Sequence, residues 1–184
     1  DGSADMANIF SVADTIGKNI SSDILIVVKS TVPIGTTHLV NERINSFIKK
    51  KKLNCECNVI NNPEFLREGR AVSDFMRPDR IIVGSDNESS FEIMNNLYRP
   101  FSINRSKIIK MDVLSSEMTK YASNSMLACR ISFMNEISRI CELFGANVND
   151  VRNGMGSDKR IGYQYLYPSI GFGGSCFPKD LQAI

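Results

Sequence analysis

The segment with the most unusual chemistry is Gly171-Phe-Gly-Gly-Ser-Cys-Phe-Pro-Lys-Asp180. Gly173 and Gly174 let the backbone come close to a ligand, and Pro178 suits the first turn of a following helix. Cys176 then lies just ahead of a helix N-terminus, with Lys179 and Asp180 in its first turn. The helix end and the lysine both favour thiolate over thiol. A thiolate is a nucleophile, and Asp180, four residues on, could serve as a base. The competing reading is a buried cysteine in a glycine-rich turn.

A second segment, Asn62-Pro-Glu-Phe-Leu-Arg-Glu-Gly69, holds Glu64 and Glu68, with Pro63 forcing an extended backbone before them. If a helical turn begins near Phe65, both carboxylates face one cleft, and two close carboxylates raise one pKa, as acid–base work requires. The alternative pairs them with Arg67 and Arg70. Lys120 and Asn124 stand at i and i+4 and share a helix face, where a lysine and an amide could stabilise an oxyanion, or simply be exposed surface. Asp158, Lys159 and Arg160 read as a solvated corner, and His38, the single histidine, as a helix-surface residue with no ligand partner in view.

Five cysteines, Cys55, Cys57, Cys129, Cys141 and Cys176, are an odd number without Cys-x-x-Cys spacing. The reading is a reduced, intracellular chain with no metal site. Cys57, Cys129 and Cys141 fall in apolar patterns and read as small buried hydrophobes.

The elements that must carry these residues alternate. Ser3 is a candidate N-cap for a helix through Met6, Ile9, Phe10, Ala13 and Ile16, ending near Asn19. Asp23 to Ser30 reads as a strand buried on both faces; Pro33 and Gly35 turn the chain, and Thr36 or Thr37 caps a helix running to the Lys49–Lys52 run. Strands follow at Cys57 to Ile60, Arg80 to Gly84 (after a loop containing Pro78) and Lys107 to Met111, with a helix at Glu88 to Tyr98. Such alternation predicts a parallel α/β sheet with right-handed crossovers and its chemistry at the carboxyl ends of the strands. From Val113 to Phe144 there is neither proline nor glycine, and the apolar residues recur at three and four, predicting one helix about 45 Å long that links domains or packs on a partner helix. Gly145 stops it, Asn147 or Asn149 starts a short helix to about Gly154, and Gly154 to Asp180 is mostly loop.

At 184 residues, 42% apolar, with a formal net charge of +2, the chain reads as one domain, or one and a fraction, and offers no large basic field for nucleic acid. Its longest apolar run, Ile24 to Val28, is far short of the roughly 20 residues that span a bilayer. Residues 1–20 lack a basic region ahead of an apolar segment, so no signal peptide is read and a cytoplasmic setting is expected. No Gly-x-Gly-x-x-Gly follows a strand. Either the sheet binds no dinucleotide or the chain begins after that turn, and the latter predicts a fragment.

Taken together, these segments resemble the UDP-glucose/GDP-mannose dehydrogenase family. The resemblance rests on Asp1-Gly-Ser-Ala-Asp5, Lys29-Ser-Thr-Val-Pro-Ile-Gly35, Asn62 to Gly69, Pro78-Asp-Arg-Ile-Ile-Val-Gly84, Lys120-Tyr-Ala-Ser-Asn124, Asn135-Glu136, Arg160-Ile-Gly162 and Gly171 to Asp180, in family order. It implies that residues 1–112 are the C-terminal part of a Rossmann-like NAD-binding domain and 113–184 a central helical dimerisation region carrying the cysteine loop. It also implies an NAD-dependent, four-electron oxidation of a nucleotide sugar at C6, with UDP-glucose favoured and GDP-mannose the rival, by a homodimer. An isolated fragment would be inactive.

Residue by residue, the resemblance makes Cys176 the nucleophile, carrying a thiohemiacetal and then a thioester. Thr31, Glu64 and Asp180 position the hydrolytic water, and Lys120 and Asn124 bind the oxyanion. Thr31, Glu68 and Lys179 lie near NAD. Phe65, Leu66 and Arg67, together with Tyr165, Tyr167, Gly171, Phe172 and Gly173, hold the sugar nucleotide, and Arg160 reaches a neighbouring subunit's substrate. Tyr165-Leu-Tyr-Pro168 departs from the family pattern of Phe-Leu followed by Lys or Asn. Two different classes of reading are a non-catalytic dimerisation module and a thiol enzyme that uses no nicotinamide.

Overall fold

The computed structural model describes residues 4–102 and 106–183. Contacts divide the chain after Lys120 into two compact units. In the amino-terminal unit the elements run α1 (Ala7–Asn19), β1 (Ile24–Val28), α2 (Thr36–Lys51), β2 (Cys57–Asn61), α3 (Ala71–Met76), β3 (Ile81–Gly84), α4 (Glu88–Tyr98) and β4 (Ile108–Met111), followed by the start of the long helix α5 (Val113–Phe144).

The four strands form one sheet in the order β1-β2-β3-β4. β1 runs parallel to β2 and β3 parallel to β4, but β2 meets β3 antiparallel, through the single register pair Asn61 and Gly84. The expected all-parallel sheet is therefore corrected to a mixed one. The register has a further result: Val28 pairs with Asn61, Asn61 with Gly84 and Gly84 with Met111, so the last residues of all four strands stand in one row. Loops following the strands thus start from a common line.

Side-chain alternation assigns the two faces. Ile26, Val28, Cys57 and Val59 pack with Ala13 of α1 and Val40, Ile44 and Ile48 of α2. On the other face Leu25, Val27, Ile60, Ile81, Val83 and Ile108 pack with Met94 and Tyr98 of α4. Enclosing Ile44 and Val83 completely contributes roughly 1.5–3 kcal/mol each relative to exposure. Burial also pushes the Cys57 thiol up to about 11, with Cys55 adding to the shift.

Several local expectations change. β1 lies at a sheet edge and buries only Val28 well, so it is not enclosed on both faces. α1 begins at Ala7, whose N–H bonds Asp5 Oδ1 at 2.9 Å; the expected Ser3 cap lies outside the described residues. The segment before Pro78 contains α3, which buries none of its residues and so leaves no apolar periodicity to read. Neither Thr36 nor Thr37 caps α2; Gly35 holds that position.

α5 opens on Asp112, whose carboxylate accepts from the Ser115 N–H (2.8 Å) and hydroxyl (2.6 Å), bonds that hold the carboxyl below its ordinary range. The helix covers the expected residues and ends at Gly145, where φ is 70°. In the carboxy-terminal unit α6 (Val148–Ser157) is capped by Asn147, whose Oδ1 accepts from the Asn149 N–H, and α7 (Phe177–Gln182) carries Pro in its first turn. Cys129 is exposed, which corrects its reading as a buried hydrophobe: the four-residue apolar rhythm of α5 continues on a face that the chain does not cover. No helix among the described residues is long and apolar enough to cross a membrane.

Candidate active site

In the amino-terminal unit the site is built at the row of strand ends. Lys29, one residue past β1, donates to Asn62 Oδ1 at 2.9 Å, and the Tyr98 hydroxyl donates to the same oxygen at 2.5 Å. The Asn62 amide donates in turn to the Ile82 carbonyl at 2.6 Å, so Asn62 is fixed from three elements before the chain enters Pro63. Residues 62–67 adopt no helix or strand, and the first turn comes at 68–70. No helical turn begins near Phe65, because Pro63 and the bonds of Asn62 hold this segment out; the two carboxylates are therefore not aligned by a helix.

What this segment presents instead is backbone. The Glu64 carbonyl accepts from Lys120 Nζ at 2.7 Å, and the Phe65 ring lies 5.1 Å from that ammonium and 4.2 Å from the Arg80 guanidinium. Arg67 clasps Asp74 of α3 through Nε (2.9 Å), Nη2 (2.6 Å) and its backbone N–H (3.0 Å). These bonds hold the Asp74 carboxyl at about 2. Beneath the segment lies a cavity of about 180 Å³ lined by Lys29, Asn62, Phe65, Arg67, Arg80 and Tyr98. Thr31 is half-buried beside the buried Val32, while Leu66 and Glu68 are exposed.

In the carboxy-terminal unit Cys176 caps α7 with its thiol exposed, 3.6 Å from the Ser175 hydroxyl. The exposed thiol rules out the buried-cysteine reading. Asp180 is 1% exposed. Its Oδ2 accepts from the Asn124 amide at 2.5 Å, its Oδ1 pairs with Lys179, and its N–H bonds the Cys176 carbonyl at 2.9 Å. Asp180 is thus locked to the cysteine turn, and one Asn124 N–H is left for another acceptor. Lys120 and Asn124 are each only 8% exposed, so neither is ordinary helix surface.

The loop before the cysteine is aromatic. Tyr165, at φ 61°, lies 6.0 Å from the Tyr167 ring and 6.3 Å from Phe177, which is 6.3 Å from Phe172. Gly171 and Gly173 are exposed. Arg160 bonds Asp158 and remains 88% exposed, the solvated corner expected, and it holds the Asp158 carboxyl below its ordinary range. His38 lies on the surface of α2 as expected, where it pairs with Asp86 at 2.7 Å.

Four supporting residues were given no role by sequence reasoning, although one of them, Asn135, stands in the Asn135-Glu136 motif of the resemblance. Arg152 donates to the Leu166 carbonyl at 2.6 Å with its guanidinium 5.6 Å from the Tyr167 ring, and Asn135 accepts from the Ser169 N–H at 2.7 Å. Arg130 grips the carbonyls of Ile161 and Gly162, each at 2.9 Å. Asn61 accepts from the Ser116 hydroxyl at 2.6 Å. Of these, Asn61, half of an Asn-Asn pair at a strand end, and Asn135, in its quoted motif, carry a signal in the sequence; Arg130 and Arg152 carry none.

The amino-terminal unit is thus an α/β fold with polar strand ends, of the class in which chemistry sits at the ends of the strands, and the long helix and the cysteine loop follow it in the chain. Residues 1–102 match the NAD binding domain of the UDP-glucose/GDP-mannose dehydrogenase family and residues 114–184 its central domain. The chain belongs to that family. It is 46% identical over 184 residues to a UDP-glucose 6-dehydrogenase of Pseudomonas aeruginosa and 47% identical over 184 residues to one of Bacillus subtilis, covering all of this chain and 41% and 40% of theirs. It therefore spans about two fifths of the length of these relatives. A solved UDP-glucose dehydrogenase from Pyrobaculum islandicum superposes with a TM-score of 0.91 at 40% identity, over 100% of this chain and 42% of that one. A GDP-mannose dehydrogenase from Pseudomonas aeruginosa gives 0.76 at 32%, over 97% and 42%.

Proposed function

We propose that the full-length protein oxidises UDP-glucose to UDP-glucuronate in two steps on NAD, in the cytoplasm. The observation that carries this reading is the exposed Cys176 beside a buried, doubly bonded Asp180. In this reading residues 1–112 are the later part of the NAD-binding domain and 113–184 a dimerisation region.

The segment after β1 is assigned to the nicotinamide end of NAD, with a half-buried hydroxyl residue, Thr31, followed by the buried, apolar Val32. No Gly-x-Gly-x-x-Gly for the pyrophosphate occurs in these 184 residues. Bound NAD would supply the hydride acceptor for each of the two oxidations at C6. Thr31, Glu68 and Lys179 are the residues assigned beside it. Cys176 Sγ adds to the C6 aldehyde that the first oxidation leaves, giving a thiohemiacetal; loss of the second hydride and of the hydroxyl proton gives the thioester. Lys120 and Asn124 bind the oxygen that carries developing negative charge. Thr31, Glu64 and Asp180 position the water, whose oxygen forms the new C–O bond as the Cys176 thiolate leaves. Backbone groups of Phe65, Leu66 and Arg67, with Tyr165, Tyr167, Gly171, Phe172 and Gly173, hold the nucleotide sugar. Arg160, with its guanidinium exposed, serves the neighbouring subunit's substrate.

Dimerisation has its own support. Met126, Phe133 and Ile140 stand seven residues apart on α5 and are 61%, 51% and 48% exposed, an apolar stripe with the spacing of a helix–helix seam.

The test is NADH formed per sugar consumed by the full-length protein, with UDP-glucose and GDP-mannose in parallel. Two NADH with UDP-glucose, and loss of at least about a thousandfold in turnover for Cys176→Ala, are expected. Two with GDP-mannose alone would move the substrate, and turnover without NAD would replace the reaction by thiol chemistry. NADH production by residues 1–184 alone would overturn the expectation that this part is inactive by itself.

A further inference from the structure

The most enclosed acidic group outside the reaction just described is Glu117, on the first turns of α5. It is 2% exposed and lies about eighty residues from its partners in sequence. Its Oε2 accepts from the Gly35 N–H at 2.6 Å; its Oε1 accepts from the Thr37 N–H at 2.8 Å and the Thr37 hydroxyl at 2.6 Å. Gly35 is the N-cap of α2, with φ 91°, and supplies no side chain of its own. A carboxylate from a distant helix therefore does what a serine or aspartate cap does locally, and the positive end of α2 favours its charge.

We infer that Glu117 is a positioning residue that fixes the turn carrying Thr31. The turn from Lys29 to Gly35 is anchored at one end by β1 and at the other by this carboxylate, with Thr31 between them. Two neighbours on the same helix act alike on the next strand end: the Ser116 hydroxyl bonds Asn61 Oδ1 and Lys120 Nζ bonds the Glu64 carbonyl, at 2.6 and 2.7 Å. Two turns of α5 thus hold two of the three segments assigned to positioning the hydrolytic water, those of Thr31 and Glu64. The inference rests on the proposed reaction for the role of Thr31, but the clamp itself does not.

The experiment uses the full-length protein with Glu117→Gln and Thr37→Val. A glutamine turns one acceptor oxygen into an NH2 group facing an N–H donor, whereas valine keeps the shape of Thr37 and removes one bond. For Glu117→Gln, amide exchange at residues 34–37 is expected to quicken about tenfold while the rest of the sheet is unchanged. Turnover per folded molecule should fall about tenfold with KM for UDP-glucose within about twofold, and thioester-linked enzyme should accumulate on mass spectrometry. Thr37→Val should move each readout the same way by less. Exchange unchanged at 34–37, or activity lost only in proportion to folded protein, would overturn the inference. If the wild type forms no NADH from any nucleotide sugar, the proposed reaction fails, and the exchange data alone still sustain or refute the clamp.

Discussion

Asp74 is held by Arg67 and its carboxyl is drawn to about 2, below the roughly 3.9 of an unfolded aspartate. A group depressed in the folded state adds stability above its unfolded pKa, and loses it as pH falls through the folded value. The thermal midpoint of the full-length protein should therefore exceed that of Asp74→Asn at pH 6, with the gap shrinking below about pH 4 and gone only below about pH 1; a gap independent of pH would contradict the pairing. At this scale the sequence was informative wherever chemistry is local. The turn that joins Cys176 to Asp180, four residues on, could be read from its own residues, whereas Lys120 and Asn124, read as one oxyanion pair, bond the Glu64 carbonyl and the Asp180 carboxylate separately. Glu117 could not, because its partners are eighty residues away and nothing nearby distinguishes it from a solvated helix glutamate. Arg67 finds Asp74 seven residues on, across a turn that the sequence does not announce.

At the scale of elements, packing decides which local signals matter. Gly84 ends β3 where a Cβ would strike Ser116 Cβ and stand 3.2 Å from the Asp112 carbonyl. Gly84→Ala should thus destabilise by about 1–3 kcal/mol, read as a lower urea midpoint at constant slope. Gly154 in α6 has nothing within 4 Å of its Cβ position, so Gly154→Ala should be neutral or gain up to about 1 kcal/mol from helix propensity. Equal effects of the two would remove the packing argument. α4 and α5 were readable because each repeats apolar residues at three and four over three or more turns. α3 was not, being six residues long with no buried face. The antiparallel meeting of β2 and β3 was invisible for a different reason: strand periodicity is the same in either direction, and one register pair is a tertiary outcome.

For the molecule as a whole, the stripe of Met126, Phe133 and Ile140 is the feature that most asks for a second copy. Phe133→Asp should shift the sedimentation of the full-length protein from dimer to monomer, while a dimer that survives the charge would place the seam elsewhere. The alternating α/β order, the long helix and the family were legible from the sequence; the mixed sheet and the row formed by Val28, Asn61, Gly84 and Met111 were not. That row has a bearing on how the fold tolerates change. All four strands are held in common register at their carboxyl ends, so length can vary at their amino ends without disturbing the line from which the site loops depart. Insertions should be tolerated before Ile24, Cys57 and Ile81, whereas one added residue just after Val28 or Asn61 would shift Thr31 or Glu64 along the chain relative to its anchor. The sheet is in this sense a ruler with its zero at the chemistry.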